Sequence, residues 1–269
     1  MLIAKNPNIN VDLSLVSEPI TKDKMLELSL NSTVYSDKKS PVVQRDIEIP
    51  HATAQSTKQI QIYLSENVLN SILISLKDTD RLDLNIPSEL TNLNTTSIGT
   101  FIPNIIETYG KDQMVNILCK TINYPKLTLS NDKVDSSLNE SITFNVLMAN
   151  GTVSSAIEFQ ADLSFSSKFN LEKGYAKAEI LNFSINQLNV IKSNIGIVDP
   201  SILKSTMNLL ITYTILPFIN SILKTGFDLP SLYGLLFTDA FAYTKDGYLL
   251  VEMNPHFSSK IKRFLNFIE

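Results

Sequence analysis

Long stretches of the chain alternate between apolar and polar side chains. From residue 157 to residue 165 the odd positions are Ile, Phe, Ala, Leu and Phe, and Glu158 and Asp162 lie between them. A two-residue period places the apolar set on one face of a β-strand and the polar set on the other. Residues 142–148 repeat the pattern, and Asn150-Gly151 between the two runs is typical of a tight hairpin turn. The pattern predicts an antiparallel sheet with one buried face.

A third alternating run changes phase in its middle. Ala176, Ala178 and Ile180 begin it, and Leu181 and Phe183 continue it one residue out of step. A slip of one residue moves side chains to the other face, so we predict a β-bulge or bend near Ile180. Shorter strands are predicted at 11–16, 26–35, 58–64, 115–121, 126–129, 235–243 and 248–254, and the turn at 245–247 joins the last two.

Three helices are predicted between the strands. Ser65 caps the first, and a short second one covers 98–109, where Pro103 limits its start. The longest runs from an Asp199 cap to about residue 224, and an internal proline, Pro217, should kink it. This helix is apolar almost all round, so we expect protein to enclose it. Its uncharged stretch, residues 205–223, approaches the length of a bilayer span, but its polar residues and its proline favour a helix buried in protein.

Composition excludes several classes of function. The formal net charge of −4 over 269 residues argues against a nucleic-acid partner. One Cys and two His rule out a disulfide within this chain and leave a Cys/His zinc site without ligands. Both histidines, His51 and His256, lie beside prolines in predicted loops, and the chain has no Gly-x-Ser-x-Gly elbow and no paired-His motif. We therefore expect no enzymatic activity.

An ordered set of segments resembles one known family. The segments are 12–16, 28–36, Leu64 to Asn70, Gly99-Thr-Phe-Ile-Pro103, Ser193-Asn-Ile-Gly196, the helix containing Leu216-Pro217, Gly226-Phe-Asp-Leu-Pro230 and Gly247-Tyr-Leu-Leu-Val251. Together they are similar to the C-terminal barrel of the bactericidal/permeability-increasing protein, lipopolysaccharide-binding protein and plasma lipid-transfer protein family, within the tubular lipid-binding superfamily. The resemblance covers about residues 11 to 257.

The resemblance implies an α+β fold in which a strongly twisted antiparallel sheet wraps around a long kinked helix. It divides the chain into joining strands and linker of a central sheet at 1–50, the lipid-binding barrel at 51–257 and an amphipathic tail at 258–269. Family members usually have two similar halves and are usually secreted, so the resemblance implies an extracellular or secretory-pathway location. The first ten residues themselves contain no apolar run of signal-peptide length.

The resemblance also implies lipid binding or lipid transfer, with the acyl chains of a phospholipid-like ligand in an apolar tunnel and no other cofactor. A strand of about ten residues and a helix of about 25 residues have matching lengths of about 33 and 37 Å, as a tube requires. The predicted lipid-binding residues are Leu203, Met207, Leu210, Ile211, Thr214, Ile215, Phe218, Phe144, Val146, Phe159, Leu163, Leu13, Leu15 and Leu28. For the eleven on the long helix and on the strands at 142–148 and 157–165, packing in a solid core is the alternative interpretation.

Other partners follow from the same resemblance. Leu26 and Leu30 join Leu13, Leu15 and Leu28 on the joining strands, where a second barrel or a protein partner would dock. The tail is predicted to contact a membrane surface or cap the pocket, because its apolar residues follow a helical spacing. Recognition of lipopolysaccharide depends on a basic surface in this family, and a net charge of −4 gives it little support. The alternative function is a structural or adaptor module that uses the barrel as a scaffold.

Overall fold

The computed structural model describes residues 2–5, 8–37, 47–51, 56–172, 175–228, 235–236, 240–254 and 256–257. The strands are β1 (Leu2–Lys5), β2 (Asn8–Val11), β3 (Ile20–Lys22), β4 (Met25–Glu27), β5 (Val34–Ser36), β6 (Ile60–Ser65), β7 (Leu84–Ile86), β8 (Met114–Thr121), β9 (Lys126–Ser130), β10 (Lys133–Leu147), β11 (Val153–Glu172), β12 (Tyr175–Ser193), β13 (Phe227–Asp228), β14 (Leu235–Leu236), β15 (Ala240–Lys245), β16 (Tyr248–Met253) and β17 (His256–Phe257). The helices are α1 (Glu66–Asp78), α2 (Ser88–Thr91), α3 (Thr95–Gly99), α4 (Asn104–Tyr109), α5 (Pro200–Leu210) and α6 (Leu216–Thr225), and a π-helical turn, Ile211–Ile215, joins the last two.

The alternating runs form one large antiparallel sheet, as predicted. Its strand order is β13-β12-β11-β10-β8-β7, and β9 pairs with the far end of β10. The hairpin between β10 and β11 turns at Gly151, whose φ of 82° favours glycine, and the Met148 N–H donates to the Thr152 carbonyl oxygen at 2.8 Å. The mixed helix and strand content and this sheet confirm the predicted fold class.

The predicted bulge lies at Leu181. Ser166 pairs with Asn182 and Ser167 pairs with Ile180, so Leu181 has no opposite residue on β11. Two further shifts of the same kind lie between Asp162 and Leu163 and between Glu158 and Phe159. Each β-bulge increases the local right-handed twist of a strand pair. The three bulges therefore increase the twist between β11 and β12.

Helices cover backbone groups at both long edges of the sheet. On α1, the Asn70 side chain accepts from the Leu127 N–H and donates to the Leu127 carbonyl oxygen, both at 2.8 Å. On α6, Asn220 makes the same pair of bonds with the Ile180 backbone at 2.8 and 2.9 Å. An asparagine amide thus takes the place of a neighbouring strand, and these positions are closed to pairing with another chain.

The long helix begins and changes pitch where the sequence predicts. The Asp199 side chain caps it by accepting from the Ser201 N–H at 2.7 Å. Ahead of Pro217 the helix widens into the π-turn, in which the Leu216 N–H bonds to the Ile211 carbonyl oxygen five residues back. A proline cannot donate in the helical ladder, so the irregularity lies in the turn before it. By length and composition this helix could cross a membrane, a test that the core helix of a soluble protein also passes.

The prediction that protein encloses this helix is wrong. Leu203 and Met207 are buried against the sheet, but Ile202, Leu209 and Tyr213 are 60%, 47% and 76% exposed. The reason is geometric, because a single sheet covers one side of a helix and leaves the opposite side open. The helix therefore packs one side against the sheet and leaves its opposite side exposed.

Smaller predicted elements differ in their bounds. The predicted helix at 98–109 is two helices, α3 and α4, because Pro103 starts a new one at its N-cap. The predicted strand at 235–243 consists of β14 and β15, and residues 237–239 between them lie outside the described residues. The tail at 258–269 also lies outside them. The joining segment is held to the barrel where the Val34 N–H of β5 donates to Ser71 Oγ on α1 at 3.2 Å.

Candidate functional site

The apolar inner face of the large sheet carries two separate clusters of buried side chains. The first apolar cluster brings α3, α4, α5 and the π-turn together with β8, β10, β11 and β12, with Phe144 and Phe159 in edge-to-face contact at 5.7 Å between ring centroids. The second apolar cluster lies at the other end of the sheet and is built from Leu129, Val134, Leu171, Ala240, Leu249, Val251 and Met253. Two cores on one continuous face leave a section of that face between them.

We call this section the inner gap. It consists of five apolar residues on the three long strands: Leu138, Leu163, Phe165, Ile180 and Phe183. Strand register places them on one face, because Leu138 pairs with Leu163 and Phe165 pairs with Phe183. All five are partly buried, and three of them (Leu138, Phe165 and Ile180) belong to neither cluster. The inner gap is thus an apolar surface that protein covers incompletely.

A groove between α6 and β12 adjoins the inner gap at Ile180. Its volume is about 510 Å³, which is within the range of small-molecule sites. The groove is lined by Ile180, Leu181, Thr212, Leu216, Pro217, Asn220, Ser221 and Lys224. Lys224 also forms an ion pair with Glu179 at 2.7 Å. The groove therefore combines four apolar residues with three neutral polar residues and one lysine, an arrangement that suits a ligand with one polar end.

One carboxyl group interrupts the apolar inner face. Glu140 lies on β10 in phase with Ile142, pairs with Thr121 and Ala161, and is 5% exposed. Its Oε1 accepts from Thr121 Oγ1 at 2.7 Å, and its Oε2 has no hydrogen-bond partner among the residues that the structure describes. Removal from water disfavours the charged form and raises the pKa of Glu140 to about 7.

The single thiol is a neighbour of this carboxyl group. Cys119 lies on β8 two residues before Thr121 and packs against the first apolar cluster. Burial raises the pKa of Cys119 to about 12, and the negative charges of Glu140 and Asp83 add to the shift. A thiol with so high a pKa stays protonated at neutral pH and is a poor nucleophile.

The predicted lipid-binding residues occupy three environments. Eight are buried in the first apolar cluster: Leu203, Met207, Leu210, Ile211, Ile215, Phe144, Val146 and Phe159. Leu163 lies in the inner gap, Phe218 is partly buried on α6, and the side chain of Thr214 lies outside the described residues. The joining-strand residues Leu13, Leu15 and Leu28 are 46%, 54% and 51% exposed. Contact of any of these residues with a lipid stays a prediction.

The outer face of the sheet offers a different surface. A shallow pocket of about 460 Å³ is lined by Lys126, Thr128, Asp135, Ser136, Ser137, Ser164, Phe165, Ser166, Asn182, Phe183 and Ser184. Register places Ser137, Ser164 and Ser184 side by side on that polar face. Among the described residues no group of three His, Cys, Asp or Glu could share a metal ion. Nine of the eleven lining residues are polar or charged, and the other two, Phe165 and Phe183, belong to the inner face by register, so the outer face offers mainly polar side chains.

Sequence reasoning missed the inner gap and Glu140. Phe165, Ile180 and Phe183 are visible as apolar positions of alternating runs, but which of them stay open depends on where helices pack. Glu140 had a usable signal, because counting back by two from Ile142 places a carboxylate in the apolar phase of β10. A charge in an apolar phase is unusual and marks a position to inspect.

Comparison with known proteins places most of the chain in one group. A family model described as the LBP / BPI / CETP family, C-terminal domain, matches residues 5–257. The human protein BPI fold-containing family B member 2 is 19% identical over 94% of this chain and 57% of its own length. Bactericidal permeability-increasing protein of Sebastes schlegelii is 21% identical over 92% of this chain and 53% of its own.

A solved structure of lipopolysaccharide binding protein aligns with a TM-score of 0.48 and 16% identity, over 93% of this chain and 55% of that one. The chain thus spans about half the length of these relatives.

Proposed function

Because the chain belongs to the LBP/BPI/CETP family, we propose that it binds or transfers a lipid and holds it by its acyl chains. The observation that supports this most directly is the inner gap, an apolar surface left partly open between two packed clusters. A solid barrel would have one continuous core on its inner face. The eight predicted residues in the first apolar cluster would then form the floor beside the lipid.

Burial of the tails is sufficient to supply the binding energy. Each methylene removed from water contributes about 0.8 kcal/mol, so about ten methylenes contribute roughly 8 kcal/mol before the cost of association. The inner gap and the adjoining groove present aliphatic and aromatic side chains, which favour tails without selecting a headgroup. In this proposal the ligand is phospholipid-like and its headgroup stays near Lys224, at the solvent side of the groove. The mechanism is passive and involves no catalytic residue.

Native mass spectrometry of the purified chain, with extraction of co-purifying lipid, tests this proposal. We expect a stoichiometric lipid adduct that is lost after delipidation and returns on incubation with phospholipid vesicles. In the inner gap, Phe165→Ser should weaken the adduct, whereas Phe241→Ser should not, since Phe241 is 44% exposed on β15 outside both the gap and the groove. A folded wild-type chain that takes up no lipid would contradict the proposal.

A second function is favoured by a different observation. On the joining strands Leu26, Leu28 and Leu30 are 66%, 51% and 41% exposed beside Leu13 and Leu15. So dense a set of exposed leucines is typical of a surface that another protein covers. The chain would then be an adaptor module whose barrel is a scaffold. Co-purification of a stable protein partner with a lipid-free barrel would support this function and contradict the first.

We also propose an extracellular or secretory-pathway location, which the family resemblance implies. One relative is named for lipopolysaccharide binding, but the net charge of −4 does not favour a polyanionic headgroup on this chain. Immunodetection of the endogenous protein in culture medium and in cell fractions tests the location. Detection in the cytosol alone would contradict it.

A further inference from the structure

We infer that Glu140 is a hydrogen-bonding site inside the lipid-binding face and selects lipids that carry a free hydroxyl group. This inference rests on the proposed function, because it assigns a polar anchor to the same inner face. The supporting observation is that a carboxyl group, 5% exposed and with one oxygen that lacks a hydrogen-bond partner among the described residues, lies at the border between the first apolar cluster and the inner gap.

The position of Glu140 follows from the strand register. It lies two residues from Leu138, an inner-gap residue, and two residues from Ile142, a member of the first apolar cluster. Its neighbours in register are Thr121 on β8 and Ala161 on β11. Ala161 and Thr121 are 1% and 4% exposed, so the side of Glu140 toward Leu138 is the one that protein covers incompletely. A lipid chain in the inner gap would have its nearest polar neighbour at this point.

Only one of the two carboxyl oxygens of Glu140 accepts a hydrogen bond from the described part of the chain. Thr121 Oγ1 donates to Oε1 at 2.7 Å, whereas Oε2 is buried without a partner among the described residues. A buried polar atom without a hydrogen bond costs free energy, of the order of 1–3 kcal/mol. A ligand that donates to Oε2 would recover this cost, whereas a purely apolar ligand would not. The site therefore discriminates between a ligand with a donor and one without.

The electrostatic setting favours a hydroxyl group over an ammonium group. Burial raises the pKa of Glu140 to about 7, so the carboxyl carries only part of a full negative charge at neutral pH, and its ionised form accepts a hydrogen bond at Oε2. Of the charged groups near it, Asp83 is negative and Lys77 is positive, and their influences on Glu140 oppose each other. A cationic headgroup would have to leave water for a site that offers only a partial charge in return. A neutral hydroxyl has a much smaller desolvation cost.

Two ligands that differ by one methyl group test the inference. Hexadecanol donates a hydrogen bond and its methyl ether does not, and both displace a fluorescent fatty-acid probe if they bind the apolar face. For the wild-type chain at pH 8, where most of Glu140 is ionised, we expect hexadecanol to bind about tenfold more tightly than the ether, the ratio that one net hydrogen bond of about 1.4 kcal/mol gives. Equal affinities for the two ligands would overturn the inference.

Variants at Glu140 separate this role from a structural one. Glu140→Leu should abolish the preference for the alcohol while the ether still binds, and Glu140→Gln, which keeps an acceptor, should retain most of it. Glu158→Leu, on the outer face of β11, is the matched control and should behave as wild type. A preference that survives in Glu140→Leu would overturn the inference. Failure of the folded wild-type chain to bind either ligand would instead overturn the proposed function, so the two failures are distinguishable.

Discussion

The buried carboxyl group makes a quantitative prediction about stability and pH. The pKa of Glu140 is about 7 in the folded chain against an ordinary value of 4.5, so the folded state holds this proton more tightly than the unfolded state does. Glu140 therefore contributes most to stability below pH 4.5. That contribution is lost as the pH rises from about 4.5 to about 7, and it changes little above that range.

The size of the effect follows from the same two values. One pKa unit corresponds to 1.36 kcal/mol, so the difference between 4.5 and about 7 gives roughly 3 kcal/mol as an upper bound. Movement of the side chain toward water on ionisation would reduce this figure. Asp12 and Asp135, whose pKa values are lowered by hydrogen bonds, act in the opposite direction and only at more acidic pH.

Urea unfolding at pH 5, 6, 7 and 8 measures the effect. The free energy of unfolding of the wild-type chain should fall across this range, and that of Glu140→Gln should fall less by up to roughly 3 kcal/mol. Glu158→Gln, on the polar outer face, is the control and should follow the wild-type curve. Parallel curves for the wild type and Glu140→Gln would refute the reasoning, because they would show that Glu140 titrates normally.

Three further predictions concern the fold. Asn70→Ala should lower the free energy of unfolding by about 2–3 kcal/mol because it leaves the Leu127 backbone unpaired. The control is Asn189→Ala, on the exposed outer side of β12, and an equal loss of stability in the two variants would contradict the capping role of Asn70. Gly99→Ala should cost about 1–3 kcal/mol in urea unfolding, since a Cβ would lie 2.2 Å from the Ile106 side chain, and wild-type stability would exclude that clash. Cys119 should react with a thiol reagent only after denaturation, because its pKa is about 12, and rapid labelling of the native chain would contradict its burial.

The sheet could be predicted from the sequence because its signals are local. A two-residue period in β10 and β11, Asn150-Gly151 between them and a phase change beside Ile180 each depend on a few neighbouring residues. The caps at Ser65 and Asp199 were predictable for the same reason. The strands, the turn, the bulge and the two helix caps are each determined by local backbone geometry, so predicting them needs no knowledge of distant contacts.

The candidate site depends on contacts that a local pattern does not contain. An apolar side chain such as Phe144 or Phe165 looks the same in the sequence, yet the first is buried in the first apolar cluster and the second stays partly open. The exposed Tyr213 shows the same limit, because composition predicted an enclosed helix and packing left one side uncovered. The edge-capping role of Asn220 also depends on a strand 40 residues away.

Photocross-linking tests most directly whether lipid tails lie in the inner gap. The delipidated chain is incubated with a fatty acid that carries a diazirine on its tail, irradiated, digested and mapped by mass spectrometry. We expect labels on Leu138, Phe165 or Phe183, with competition by excess phospholipid. Labels confined to the exposed joining-strand leucines would contradict an inner face open to lipid, and inner-gap labels that phospholipid does not displace would contradict a phospholipid-like ligand.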